Sequence, residues 1–310
     1  MTPEPAHVPL GNSVTATRWA EIFRQLQHEV AIVNTWTGED CDLLIGLHAN
    51  RSQNSIELFR RRHASRPLIV ALTGTDLYRD LRTSNKGRES LLMATHIVAL
   101  QEAALDELDE AARAKTTVIY QSAVRPIQRD PLSNSFFDVC VISHMRLLKD
   151  PLRAAYAIRL LRPESQIRVT HIGRSLEPQW PDWATEEERT NPRYRWIGEQ
   201  SHEITMRTLS ASRLLVLTST MEGGANVIAE AVVCGVPALC SDIPGNVGML
   251  GPDYPGYFRL QDTAHLADLL HRAESDTGFM QTLHDCIRKI QYRFSPEQEF
   301  SSWKQLLDRV

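Results

Sequence analysis

Short apolar runs alternate with amphipathic stretches along nearly the whole chain, and this alternation sets the first expectation. Residues 14–27 carry apolar side chains at helical spacing, and 30–34 and 43–47 read as strands. A helix is expected at 51–62, a strand at 68–72, a helix at 88–94 and a strand at 96–100. A helix at 102–112 and a strand at 117–120 complete the first half. The second half repeats the logic, with strands expected at 138–142, 167–172, 194–197, 214–218 and 237–240. Helices lie between them and at 263–275, 278–293 and 296–309. Strands that are apolar throughout suit parallel sheets covered by helices on both faces, so the fold class is α/β. Pro126 and Pro131 punctuate residues 122–134, which read as an interdomain linker.

Composition narrows the picture without changing it. The 310 residues are 42% hydrophobic and 23% charged, the profile of a soluble globular protein with room for two domains. No apolar stretch approaches the roughly 20 residues that cross a bilayer, and no charged-then-apolar leader opens the chain. A cytoplasmic protein without stable membrane association is expected. The net charge of −4 argues against nucleic acid as a partner but not against a small phosphate pocket. Five cysteines without a C-x-x-C pair read as reduced, mostly buried thiols. No metal signature is visible.

The stretch with most chemistry in it is Glu222-Gly-Gly-Ala-Asn-Val-Ile-Ala-Glu230. An apolar strand precedes it and helix-forming residues follow, so the pattern is strand, glycine-rich turn, helix. Such a turn places free backbone N–H groups and a positive helix end where a phosphate can sit. Asn226 and Glu230 share a helix face at i, i+4. A solvated Glu on an ordinary α/β turn would read the same way. Gly235 then stops the helix, and Pro244-Gly245 reads as a further break after the next strand.

With Cys234-Gly-Val-Pro-Ala-Leu-Cys240-Ser-Asp-Ile-Pro-Gly-Asn246, the run resembles the C-terminal half of family 4 retaining glycosyltransferases of the GT-B fold. The resemblance implies two Rossmann-like parallel-sheet domains facing a cleft, here residues 1–128 and 129–295. It also implies that the final helix, 296–310, crosses back to the N-terminal domain through Phe300, Trp303 and Leu307. Family members carry a hydrophobic strand before the loop that is Thr2-Pro3 here. The first strand of the N-terminal domain is thus expected to be missing, its sequence lying upstream of residue 1 or lost.

Residue by residue, the resemblance assigns roles. Lys149 matches the family lysine that contacts the donor diphosphate, while His144 stands where an arginine is expected and Arg146 lies two residues later. Ile197 falls in the segment that holds the nucleobase. Gly11, Asn12 and Thr15 resemble a glycine-rich loop beside the donor phosphates, with Thr15 capping the first helix. Gly223, Gly224, Ala225, Asn226 and Glu230 complete the donor site, and Glu222 would position the hexose. Loops at the C-terminal ends of parallel strands line ligand clefts. On that rule His48, Arg51, Thr73, Gly74, Thr75 and Asp76 are acceptor-side candidates, with Arg18 one helical turn in.

Several motifs together narrow the likeness. Gly11-Asn12 with Thr15-Ala-x-Arg18-Trp19, Leu72-Thr-Gly-Thr-Asp-Leu-Tyr-Arg79-Asp80, Met221-Glu-Gly-Gly-Ala-Asn226 and Ile243-Pro-Gly-Asn-Val-Gly-x-Leu250 are similar to the selenosugar synthase family of selenoneine biosynthesis. So is Pro252-Asp-Tyr-Pro-Gly-Tyr-Phe258. That implies a metal-independent transfer of a hexose, typically N-acetylglucosamine, from a UDP-sugar to selenophosphate. No cofactor beyond the donor is implied, and the product would pass to downstream selenoneine enzymes. Rival expectations are a family 4 transferase with a hydroxyl acceptor, a UDP-sugar 2-epimerase relying on Asp76, and a non-catalytic UDP-sugar sensor.

Overall fold

The computed structural model describes residues 1–3, 11–128 and 130–310 and divides the chain into two units. The first comprises Met1–Ser122, Glu222–Asn226 and Pro296–Val310; the second comprises Ala123–Met221 and Val227–Ser295.

The first unit is built on four parallel strands, β1 (Leu44–Leu47), β2 (Leu68–Leu72), β3 (His96–Ala99) and β4 (Thr116–Val118), in the order β1-β2-β3-β4. Strand β2, Leu-Ile-Val-Ala-Leu, is buried at every position. Its side chains alternate between two cores, as period-two geometry requires. Leu68, Val70 and Leu72 join Trp36, Ile56 and Phe59 on one face. Ile69 and Ala71 join Trp19, Ile22, Phe23 and Trp303 on the other. Helix Gln53–Arg62 supplies the first face; Gly11–Gln25 and the terminal Pro296–Leu307 supply the second. Trp303 packs edge-on against Trp19 and Phe23, at 4.6 and 4.9 Å between ring centroids.

Residues 30–34, expected as a strand, are not one. A strand needs a ladder, and among the described residues the backbone of this stretch takes a hydrogen bond from Thr2, whose N–H Val33 accepts at 3.0 Å, but forms no ladder. Met1 in turn lies against β1, donating to Ile45 O and accepting from Leu47 N. The expected helix at 102–112 is also divided. Gln101 caps a 3₁₀ segment, Glu102–Glu107, and Asp109 caps a separate helix, Glu110–Ala114.

The second unit has six parallel strands: β5 (Phe137–Ile142), β6 (Ile167–Ile172), β7 (Tyr194–Trp196), β8 (Leu214–Leu217), β9 (Ala238–Ser241) and β10 (Tyr257–Phe258). Their order is β10-β9-β8-β5-β6-β7. The chain moves outward from β5 to β7, then returns to build β8 to β10 on the other side of β5. Strand order reverses between β5 and β8, and ligands of open α/β sheets bind outside the carboxyl ends of strands at such a switch point. Pro244 does not break the chain as expected. It occupies the first turn of helix Pro244–Leu250, where its missing N–H costs nothing.

All five cysteines are free, and Cys140, Cys234 and Cys240 are buried. Burial pushes the Cys140 thiol up to about 12, so it is inert as a nucleophile. Among the described residues, no helix is long and apolar enough to cross a membrane.

Candidate active site

The loops leaving β5 and β8 meet at the switch point of the second unit. After β5 the chain makes a 3₁₀ turn, Leu147–Lys149, and Asp150 follows in the left-handed region at φ 44°. Thr218, the residue after β8, pins this turn by directing its hydroxyl to the carbonyls of Lys149 and Asp150 at 2.8 and 2.9 Å. Thr220 donates its N–H to Leu148 O at 2.9 Å. Lys149 is therefore carried on a backbone held at both strand ends. Asp150 is bound by Arg153, which also reaches the Thr263 hydroxyl.

His144 and Arg146 flank the same loop differently. His144 Nδ1 accepts the Arg174 N–H at 3.3 Å, which leaves Nε2 as the protonated nitrogen of the neutral ring. Glu177 accepts the Leu147 N–H and is held below the usual carboxylate range, first by the Trp180 indole and also by the Arg146 charge.

Behind the loop lies a buried pair from β6 and β7. His171 Nε2 donates to Ser143 O at 3.0 Å, so Nδ1 accepts from the Tyr194 hydroxyl at 3.0 Å. Gly173, at φ 147°, lets the loop lie close: a Cβ there would overlap the Ser143 carbonyl and sit 2.9 Å from His144 N. Burial lowers the His171 pKa to about 4, against a smaller opposing effect of the Ser143 carbonyl, and raises that of Tyr194. The folded ring refuses a proton that the unfolded ring accepts near 6.5. Its contribution to stability is complete above 6.5, declines as pH falls toward about 4 and is flat below. Over that window the loss reaches about 3 kcal/mol. Denaturant titrations at a series of pH values should show this slope in the wild type and its absence in His171→Gln; equal slopes would contradict the assignment.

The glycine-rich turn after β8 belongs to the first unit as Glu222–Asn226. Gly223 and Ala225 are buried, and Asn226 opens helix Asn226–Cys234. Glu230 lies on that helix within the second unit, largely buried, with Oε1 3.9 Å from His202 Nδ1. At the end of β7, Ile197 donates its N–H to His171 O, and its carbonyl accepts from the Gln200 amide. Its N–H is therefore committed within the fold.

Several first-unit candidates have structural work instead. Asp76 is buried, and its carboxylate accepts the N–H groups of Ala49, Thr73 and Gly74. It organises the two strand-end loops. His48 is also buried, at φ 70°; its Nδ1 accepts the Arg51 N–H and its Nε2 meets Thr75 Oγ1 at 2.9 Å. Arg51 is exposed, and Thr73 and Thr75 are half-buried. Gly11 and Asn12 do not form a loop but begin helix Gly11–Gln25. Thr15 does not cap that helix: it lies inside, donating to Gly11 O and accepting from Gln121. Arg18, expected at the acceptor, donates to Ser122 O and Asn226 Oδ1 and pairs with buried Glu299. The sequence carried no local signal for Glu299, Thr218 or the His171–Tyr194 pair, since each acts on a residue distant in the chain.

A six-stranded parallel sheet whose strand order reverses between β5 and β8 defines the doubly wound α/β class. The family model of glycosyl transferases group 1 matches residues 127–292, more than half of the 310 residues, and the chain belongs to that family. Among solved structures it is similar to HepE of Anabaena in complex with UDP, at 19% identity, covering 87% of this chain and 79% of that one, with TM-score 0.72. It is also similar to sucrose-phosphate synthase from Thermosynechococcus elongatus, at 16% identity, 86% and 73% coverage and TM-score 0.69. An α,α-trehalose-phosphate synthase (UDP-forming) from Burkholderia vietnamiensis matches at 11% identity, 86% and 71% coverage and TM-score 0.68. These likenesses show the fold, which is GT-B.

Proposed function

We propose that this protein is a retaining, metal-independent transferase that moves a hexose, N-acetylglucosamine foremost, from a UDP-sugar to selenophosphate. The observation that carries the donor half is the Lys149 turn at the β5/β8 switch point, clamped by Thr218. Lys149 stabilises the diphosphate as the glycosidic bond breaks, an interaction stronger in the transition state than before it. Arg146, or His144 when protonated, is its companion on the same loop. Glu222 and the Gly223 and Gly224 amides hold the hexose, and Glu230 accepts from the ribose diol. UDP complexes of HepE support the donor class by fold likeness.

Selenium of selenophosphate forms a bond to the anomeric carbon. The bond from that carbon to the diphosphate oxygen breaks, and UDP leaves with its electron pair. The nucleophile is already anionic, so no protein base is needed for this step. The selenium acceptor and the place in selenoneine formation rest on the motif resemblance.

Transfer to a hydroxyl acceptor is the second reading. Engagement of Arg18 by Glu299 favours it, since one of two cations expected for an anionic acceptor is withdrawn. A 2-epimerase loses its only first-unit carboxylate candidate, because Asp76 is spent on backbone N–H groups.

Calorimetric titration with UDP tests the donor half. Glu230→Ala should weaken UDP binding by about tenfold or more, the loss of a charged hydrogen-bond partner. Equal affinity in wild type and variant would remove Glu230 from the site. Mass and selenium NMR of the product, from UDP-N-acetylglucosamine and selenophosphate, should place selenium on the anomeric carbon.

A further inference from the structure

We propose that Arg18 is a positioning residue for the donor turn, acting through Asn226; this rests on the reading of Glu222 to Glu230 as the UDP-sugar site. The guanidinium is used in three directions. Nη2 donates to Asn226 Oδ1 at 3.1 Å, Nη1 donates to Ser122 O at 3.1 Å, and Nε lies 3.3 Å from Glu299 Oε2. A planar fork suits this arrangement and a lysine does not. Glu299 is 1% exposed and also accepts from Trp19 Nε1 and from the Ser122 N–H and hydroxyl, at 2.8, 2.8 and 2.5 Å. A carboxylate so buried requires the paired cation. Arg18 is thereby fixed between the terminal helix and the end of the first-unit chain, and its remaining fork arm sets Asn226.

Asn226 is the first residue of the helix that carries Glu230 and the last of the segment that begins with Glu222. The other end of this segment is held against the Thr73 and Gly74 backbone, where a Cβ on Gly74 would come within 2.9 Å of Gly223 N. The donor turn is thus anchored at both ends, by backbone contact and by Arg18. Removing Arg18 leaves Glu222 and Glu230 in place chemically but frees the helix start between them.

Arg18→Gln alone strands the Glu299 charge, so the test pairs it with Glu299→Gln and adds Asn226→Ala in a cycle. UDP affinity is measured by calorimetry and the acceptor KM by steady-state assay. Arg18→Gln/Glu299→Gln should bind UDP about tenfold more weakly. Adding Asn226→Ala should cost little more, and the acceptor KM should stay unchanged. Asn226→Ala alone, which keeps the Arg18–Glu299 pair, should weaken UDP binding and speed amide exchange across Glu222–Asn226. Wild-type UDP affinity in the charge-free pair, a raised acceptor KM with unchanged donor affinity, or unaltered exchange in Asn226→Ala would overturn the inference. A wild type that binds no UDP would overturn the functional reading and this inference together.

Discussion

Lys149→Ala is expected to lower kcat by about 10²–10³-fold, the range measured when one preorganised charge-stabilising donor is removed from an active site. Donor affinity should fall much less, because the leaving diphosphate gains negative charge only as the bond breaks. Lys149 follows β5 at the switch point on a 3₁₀ turn, and its own carbonyl and that of Asp150 accept the Thr218 hydroxyl. The ammonium therefore starts from a fixed backbone, which is the condition for electrostatic preorganisation. Thermal stability should hold, since Lys149 is half-buried and outside the core. Rapid-quench turnover and a melting curve on the same preparation check both halves. A kcat within about twofold of wild type would exclude a transition-state role.

Gly223→Ala is expected to impair both stability and donor binding. The added Cβ would overlap the Thr73 carbonyl and lie 2.5 Å from Gly74 N. Both neighbours are backbone, so no side chain can swing away. Gly74 cannot yield easily either: it sits at φ 137°, and Asp76 holds its N–H at 2.8 Å. Gly224 is similarly confined, with a Cβ there 2.5 Å from Leu100 Cβ. Overpacking of this kind costs about 1–3 kcal/mol. The midpoint of denaturant unfolding should drop, and UDP affinity should fall because the turn that carries Glu222 must move. Unchanged midpoint and affinity would mean that the turn does not depend on this contact.

This contact also explains the Gly-Gly form of the motif. Sequence alone reads two glycines as a turn before a helix, which is correct but incomplete. What they permit is a close passage against residues about 150 positions earlier, and no local pattern encodes that. The sheets were far more legible. Residues 68–72 and 167–172 are apolar or alternating runs bounded by turns, and both emerge as strands with the expected bounds. Residues 30–34 misled because they have strand composition but, among the described residues, no ladder partner. Strand β10 escaped notice because two residues carry no period.

In the candidate site, the local backbone around Glu222 to Glu230 was legible because a strand, a glycine turn and a helix follow one another in the chain, whereas Lys149 stood out by family resemblance. Arg18 and Asp76 read from the sequence as acceptor-side candidates, and the partners they have within the fold were not legible for a shared reason. Charged residues at strand ends and first helical turns serve either ligands or the fold's own backbone, and only the distant partner decides. For Arg18 that partner is Glu299 in the terminal helix; for Asp76 it is the N–H of Ala49 from the preceding strand's loop.

The most direct test is UDP release from UDP-N-acetylglucosamine by the wild-type protein, with and without selenophosphate. Turnover should depend on selenophosphate and yield one UDP for each selenium–carbon bond. No release with selenophosphate present, or release at the same rate without it, would contradict hexose transfer to selenophosphate.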